Sequence, residues 1–201
     1  MKTRIRLTFA MLAIILPLSC LGQNLLNQPQ KIVIDKKPGR VGYTRNRLLV
    51  SNYQGGSIVE IDTAGNQSYF IQGAGFVDGL EVVGNTVFGV GNDRKVLGYD
   101  LDSKRQVMNL RIEGISTDYL SSITYDSLGH LFISCPNLHA IYRLRLSDYS
   151  YWIFAQDNGL NRPNGILLEK ENNRIVVIDD SPGTSIIHAI SLADSTVTDL
   201  V

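Results

Sequence analysis

Hydrophobic and polar positions alternate along most of this chain in short runs separated by polar turns. The stretch from Asn161 to Ile190 shows the pattern most clearly. An apolar run at 165–168 leads through a polar turn at 169–173 into a β-branched run at 174–178, and an alternating run follows a Ser-Pro-Gly loop. Runs of this length predict β-strands, and no long helical period interrupts them. The pattern therefore indicates an all-β fold.

This strand pattern recurs four times. Apolar anchors in the third strand of each repeat are spaced 38, 45 and 46 residues apart, at Ile61, Tyr99, Leu144 and Ile190. First strands agree, since Leu80, Ile123 and Ile166 are each 43 residues apart. Periods of roughly 40–50 residues are expected of propeller blades. Because a blade with two apolar faces must be covered on both sides, the blades should stack in a ring.

We therefore predict a β-propeller with four blades visible in this chain. The blades are expected at 38–71, 77–112, 120–155 and 163–201. The polar segment at 23–37 precedes them and ends in an apolar run. This entry segment could form an entry strand or supply the strand that closes the ring.

Residues 1–22 are typical of a secretory signal peptide. A start with Lys2, Arg4 and Arg6 precedes an apolar run at 7–18 that is too short to span a bilayer, and small residues follow. We expect cleavage after Gly22 and a secreted or periplasmic protein. The alternative is a lipoprotein acylated at Cys20, and only then would the protein be attached to a membrane.

Composition adds limits on function. The chain has 201 residues, 44% of them hydrophobic, which is enough for a sizeable core. Its 19 basic and 19 acidic groups balance, and removal of the leader would leave an acidic excess. Without a basic cluster interleaved with aromatic residues, nucleic-acid binding is not expected. Cys135 would be the one remaining cysteine, most simply a buried small residue, with a catalytic thiol as the alternative.

Three segments resemble one family of propellers. They are DSLGHLFIS at 126–134, HAIYRL at 139–144 and RPNGILLEKENNRIVVIDD at 162–180. They are similar to the senescence-marker-protein and gluconolactonase (regucalcin-like) family and to NHL-type propellers. The resemblance covers nearly all of 38–201 and implies a six-bladed ring. About two blades and the ring closure would then lie outside this chain; a genuine four-bladed ring is the alternative.

In a propeller the first strands of all blades surround a central channel. The residues just before these strands should therefore meet at the mouth of that channel. These are Arg40, Asp78, Ser121 and Asn164. A carboxylate and an amide oxygen facing one cavity suit a hard cation such as Ca²⁺. The alternative for Asp78 and Asn164 is a tight turn, because each precedes a glycine and Asx side chains hydrogen-bond to nearby backbone.

The other candidate residues are predicted to bind a substrate or to take part in catalysis. Ser121 is a candidate for substrate binding, without the Gly-x-Ser-x-Gly context of a nucleophile. Arg40 could bind a carboxylate or phosphate group, or could simply lie on the surface. Asp180 follows a strand with Asp179 and could act as a general base, although such a pair also caps loops.

The resemblance implies more about the mouth than the residues do alone. In the gluconolactonase-like family, residues at this place ligate a divalent metal that polarises a lactone carbonyl and activates water. Asn164, within Pro-Asn-Gly, matches that pattern and Asp78 matches it in part, whereas no first-blade glutamate is evident. A later family aspartate would lie beyond Val201. Zinc is not expected, since the sequence lacks HExxH and Cys/His spacings.

Two functions follow as hypotheses. The first is a secreted binding module that holds a small molecule or an extracellular partner at the channel mouth. The second is a calcium-dependent lactonase or related ester hydrolase. The missing first-blade glutamate favours the binding module, because a metal site built from Asp78 and Asn164 alone would be incomplete.

Overall fold

A computed structural model describes residues 25–26, 29–36, 46–113 and 119–200 of the chain. The predicted signal peptide, its cleavage site and Cys20 lie outside these residues. Within the described part, no helix combines the length and apolar character needed to cross a membrane. Two short 3-10 turns, Pro136–Leu138 and Lys170–Asn172, are the helical elements found there.

In the part of the chain that the structure describes, sixteen strands form four antiparallel sheets of four strands each. Blade 1 contains β1 (Pro29–Lys36), β2 (Asn46–Asn52), β3 (Ser57–Ile61) and β4 (Gln67–Gln72). Blade 2 contains β5 (Val77–Val83), β6 (Thr86–Gly91), β7 (Lys95–Asp100) and β8 (Gln106–Arg111). Blade 3 contains β9 (Ile123–Tyr125), β10 (His130–Cys135), β11 (Ala140–Arg145) and β12 (Tyr151–Gln156). Blade 4 contains β13 (Pro163–Glu169), β14 (Arg174–Ser181), β15 (Thr184–Ser191) and β16 (Val197–Asp199).

The strands of each sheet follow chain order, as in a propeller blade. The first strands of neighbouring blades contact one another, so β1, β5, β9 and β13 lie innermost. This arrangement confirms the all-β propeller class with four antiparallel blades. The six-blade count stays a prediction.

Alternation along the strands gives every blade two packing faces. On β14, Ile175, Val177 and Asp179 are buried, whereas Ile178 and Asp180 are exposed. Such alternation produces three apolar clusters. One joins blades 1 and 2, the second joins blades 2 and 3, and the third joins blades 3 and 4. The core therefore lies between the blades.

Blade 4 also has an apolar face directed away from blade 3. Leu167, Ile178 and Ile187 on this face are 53%, 50% and 36% exposed. They alternate with residues that pack toward blade 3, such as Ile166 and Val177. Both faces of this blade thus have the apolar character of a packing surface.

The first blade differs from the sequence expectation in its first strand. β1 lies within the segment 23–37 that was assigned to an entry region, and it pairs with β2 from Lys36 opposite Asn46 to Pro29 opposite Asn52. The expected boundary at residue 38 therefore falls after the innermost strand of this blade. A single sequence obscures this because Ile32 in β1 lies 48 residues before Leu80, whereas the first strands of the later blades repeat every 43 residues.

Candidate functional site at the mouth of the ring

Equivalent positions at the start of the four innermost strands define one end of the ring. The pairing of β1, β5 and β13 shifts register near the start of each strand, between Pro29 and Ile32, between Val77 and Gly79 and between Pro163 and Ile166. The equivalent apolar positions that follow are Ile32, Leu80 and Ile166. Two residues earlier stand Gln30, Asp78 and Asn164, with Ser121 at the same offset in blade 3. We call this end the mouth.

Asp78, Ser121 and Asn164 meet there, as the sequence predicted for these three positions. The Ser121 hydroxyl donates a hydrogen bond to Asn164 Oδ1, and Ser121 Oγ lies 3.4 Å from Asp78 Oδ2. Tyr119 joins them, because its hydroxyl donates to Asp78 Oδ2 and lies 3.3 Å from Ser121 Oγ. We call these four residues, from three blades, the mouth cluster.

Sequence analysis missed Tyr119. It stands four residues before Ile123, and the aromatic residue at the same offset in blade 2 is Phe76, whereas blade 4 has Arg162 there. Its place is set by backbone pairing with Asn92 and by the Cys135 thiol, whose Sγ lies 3.6 Å from Tyr119 O. Neither contact leaves a signal in a single sequence.

The backbone beneath the mouth cluster is held by neighbouring blades. Ser51 Oγ, on β2, donates to Asp78 O at 2.7 Å and accepts from the N–H of Lys31. Ser134 Oγ, on β10, repeats the arrangement between blades 3 and 4, donating to Asn164 O at 2.5 Å. Both serines are fully buried.

Between blades 2 and 3 a glycine replaces the serine contact. A Cβ on Gly79 would lie 2.8 Å from Ser122 Cα and 2.9 Å from Ser121 O. Only a residue without a side chain permits this approach. The carbonyl groups of Asp78, Ser121 and Asn164 are therefore each fixed by contact with another blade.

Burial sets the electrostatics of the mouth cluster. It raises the pKa of Asp78 above its usual value, and hydrogen bonds from Tyr119 and Ser121 oppose the effect only in part. Burial also raises the pKa of Tyr119, and the hydrogen bond to Asp78 raises it further. Tyr119 thus remains a proton donor, and Asp78 becomes a stronger base than an exposed aspartate.

Two polar groups of the mouth cluster remain available to a ligand. Within the described residues, Asp78 Oδ1 and Asn164 Nδ2 take part in no hydrogen bond. The first is an acceptor and the second is a donor. A bound molecule could therefore satisfy both groups at once.

An aromatic wall stands beside the mouth cluster. The ring centroids of Tyr53 and Phe76 are 5.2 Å apart, and Phe76 is 49% exposed. The Tyr53 hydroxyl donates to Asn92 Oδ1 at 3.3 Å, and Asn92 pairs with Tyr119 through its backbone. Apolar and polar surfaces thus meet at the mouth, as is common in ligand sites.

The donor set suits a divalent cation only in part. Asp78, Asn164 and Ser121 offer carboxylate, amide and hydroxyl oxygens, which are the ligand types that calcium accepts. Asp78 supplies the single negative charge among them, and the described residues contain no group of three or more His, Cys, Asp or Glu side chains placed to hold a metal. A metal here would need additional ligands.

The structure gives Asp179 and Asp180 different places. Asp179 is buried and accepts hydrogen bonds from the backbone N–H groups of Asn161 and Arg162, at 2.6 and 2.9 Å, and from the Ser181 hydroxyl. Burial would raise the pKa of Asp179, but these hydrogen bonds and nearby His188 outweigh it and lower the pKa. Asp179 therefore anchors the loop before β13.

Asp180, the proposed general base, points to the other side of β14. It is exposed and pairs with Ser185 across the hairpin. None of the hydrogen bonds within the described residues links its side chain to the mouth cluster. A catalytic role for Asp180 stays a prediction that these contacts do not support.

The remaining candidates occupy different places as well. Arg40 follows β1 in the chain instead of preceding it, and it lies outside the described residues. Gln30, which is exposed, holds the first-blade position expected for Arg40. Cys135 is fully buried, as expected, and burial raises the pKa of its thiol to about 11. A thiol in this state is a poor nucleophile at neutral pH.

Solved structures with the same fold are numerous, whereas sequence relatives are not. No protein-family model matches the chain, and no curated protein matches it. A nidogen/laminin complex is similar at 16% identity and a TM-score of 0.66, over 77% of this chain and 61% of the other. A catalytically inactive virginiamycin B lyase from Staphylococcus aureus with quinupristin is 15% identical, with a TM-score of 0.67, over 86% and 55%.

A gluconolactonase from Xanthomonas campestris is 16% identical, with a TM-score of 0.64, over 76% of this chain and 56% of the other. This chain therefore spans between 55% and 61% of the lengths of these three structures. At such identities the likeness shows the fold alone. The chain has a β-propeller fold, which it shares with these three structures.

Proposed function

We propose that this chain is a secreted binding module that holds a ligand or partner at the mouth of the propeller. One observation carries the proposal: four polar side chains from three blades converge on a backbone that neighbouring blades fix. Preorganisation of this kind lowers the entropy lost when a ligand binds. The aromatic wall of Tyr53 and Phe76 adds apolar contact area.

The ligand should present a hydrogen-bond donor to Asp78 and an acceptor to Asn164. Burial disfavours the ionised form of Asp78, so a donor or a positive charge from the ligand would relieve that cost. An anionic group at the same point would be repelled once Asp78 is ionised. The site should therefore select against small anions.

The test is a thermal-shift screen of the purified protein against a defined library of sugars, amines and carboxylates. We expect at least one donor-bearing compound to raise the unfolding temperature of the native protein. The shift should be lost in Asp78→Asn and Ser121→Ala and kept in Ser127→Ala, a change at an exposed turn residue. Equal shifts in all three variants, or no shift with any compound, would contradict a mouth site.

A calcium-dependent lactonase is the second candidate. It is favoured by the adjacent carboxylate and amide oxygens of Asp78 and Asn164 and by the similar fold of a gluconolactonase. Any metal would be held by these groups with Ser121, and it would supply polarisation of a carbonyl. The single carboxylate argues for the binding module.

Calorimetric titration with calcium separates the two candidates. Saturable binding near one ion per chain that disappears in both Asp78→Ala and Asn164→Ala would favour the lactonase, and lactone hydrolysis would then be measured. A folded protein without calcium binding removes this candidate and leaves the binding module standing.

A further inference from the structure

A cavity lies between blades 1 and 2, and its lining includes Phe76 of the aromatic wall but no residue of the mouth cluster. Its volume is about 410 Å³, within the range of roughly 300–1,000 Å³ typical of small-molecule sites. One wall is formed by residues 71–77, which comprise the end of β4, the linker 73–76 and the start of β5, and the other is formed mainly by β7 and β8. We call this cavity the blade 1–2 groove.

The linker wall is fixed at both ends. Ala74 N–H donates to Gly56 O at 2.8 Å in blade 1, and Asn92 N–H donates to Phe76 O at 3.1 Å in blade 2. Gly91 makes the second contact feasible, because a Cβ there would lie 1.7 Å from Phe76 O. The groove is therefore preformed and needs no closure around a ligand.

Four amide side chains surround the groove. They are Gln72, Asn92, Gln106 and Asn109. Gln72, Gln106 and Asn109 are exposed, and Gln106 hydrogen-bonds Tyr99. Each amide offers donors and an acceptor together, which matches the paired donor and acceptor character of hydroxyl groups.

The exposed lining of the groove is mainly polar, Phe76 supplies apolar contact, and the charges at the rim are balanced. Leu97 and Tyr99 are 8% and 6% exposed, and Phe76 presents half of its surface from the linker wall. The two charged lining residues, Asp93 and Lys95, lie 3.4 Å apart and neutralise each other. A charged ligand would find no counter-charge here.

We propose that the blade 1–2 groove binds a neutral polyhydroxylated ligand, such as one or two sugar units of an oligosaccharide. The apolar face of a sugar ring would pack against Phe76, and its hydroxyl groups would exchange hydrogen bonds with the amides. The groove uses none of the four residues of the mouth cluster, although Phe76 also belongs to the aromatic wall beside the mouth. Asn109 lies in the groove alone, so its variant tests this proposal separately from the function proposed at the mouth.

The test is an NMR titration of the isotope-labelled protein with neutral trisaccharides of glucose and of mannose. Trigalacturonate serves as a charged probe. We expect saturable shift changes at backbone amides of 73–76 and 106–109, with a neutral sugar and not with trigalacturonate. Asn109→Ala should weaken binding roughly three- to tenfold, the value of one net hydrogen bond. Phe76→Ala should weaken it further.

Gln156→Ala is the matched control, since Gln156 is an exposed amide residue at the end of β12 in blade 3. It should bind like the native protein, and preserved spectra would show that every variant is folded. No saturable change with any neutral sugar would overturn the proposal. So would equal affinities of Asn109→Ala and Gln156→Ala, or shift changes centred on Asp78 and Asn164.

Discussion

Replacing Ser134 with alanine tests whether a hydrogen bond between blades holds the mouth in place. Ser134 is fully buried on β10. Its hydroxyl accepts from the Ser122 N–H at 2.9 Å and donates to Asn164 O at 2.5 Å. Ser134→Ala removes one oxygen atom and keeps the Cβ, so packing changes little.

The cost follows from the two backbone groups that lose their partner. A buried group left without a hydrogen bond costs about 1–3 kcal/mol. One such group, the Ser122 N–H, lies within blade 3 and the other, Asn164 O, lies across the interface with blade 4, so we expect the free energy of unfolding to fall by about 3 kcal/mol. For a chain of this size the unfolding temperature should drop by roughly 6–12 °C.

Urea unfolding followed by circular dichroism measures this change. The urea midpoint should fall while the m-value, which reports the surface exposed on unfolding, stays constant. Ser150→Ala is the control, because its hydroxyl bonds Asp148 at 2.7 Å in an exposed turn, and its effect should stay below about 0.5 kcal/mol. If Ser134→Ala lost no more stability than this control, the contact would not secure the blades.

Three further outcomes follow from the structure. Gly91→Ala should destabilise the fold far more than Gly165→Ala. A Cβ at Gly91 would lie 1.7 Å from the carbonyl oxygen of Phe76, whereas a Cβ at Gly165 would come no closer than 3.4 Å to Ile178. Similar unfolding midpoints for the two variants would contradict this prediction. Asp179→Asn should cost about 2 kcal/mol at pH 7. The folded-state pKa of Asp179 is lowered, so the stabilisation by its carboxylate is present above the unfolded pKa of about 3.9 and is lost as the pH falls through the folded-state pKa. A stability difference between Asp179→Asn and the native protein that did not change with pH would refute this prediction. Burial raises the folded-state pKa of Asp78, so the ionised carboxylate destabilises the fold at pH 7. Asp78→Asn should therefore raise the unfolding temperature at pH 7, and the gain should vanish in acid. A lower unfolding temperature of the variant at pH 7 would count against burial as the cause of the pKa shift.

The strand pattern and the 43-residue spacing were sufficient to predict the blades and three members of the mouth cluster. Asp78, Ser121 and Asn164 stand at equal intervals before apolar first strands, so a repeat alignment brings them together. The same alignment did not identify the first strand of blade 1. Its innermost strand lies 48 residues before that of blade 2 instead of 43, so the alignment predicts Arg40 at the position that Gln30 holds.

Other members of the site depend on contacts that have no sequence period. Tyr119 is positioned by Asn92 and Cys135, which are distant in the chain. The difference between Asp179 and Asp180 arises from the pleat, which turns successive residues to opposite faces. Sequence reasoning identified the pair without identifying which member is buried, because the strand was expected to end before it.

At the mouth, the backbone carbonyls of Asp78 and Asn164 hold the blades together, whereas the side chains of the same residues are available to a ligand. Neighbouring blades hold Asp78 and Asn164 by their carbonyl oxygens, through Ser51 and Ser134, while the two side chains remain directed to the opening. Any amino acid except proline or glycine could offer the same carbonyl at comparable backbone cost. The ligand preference of such a ring can therefore change by single substitutions at three or four positions while its framework stays intact. Mutational libraries restricted to Gln30, Asp78, Ser121 and Asn164 should thus yield folded proteins with altered selectivity.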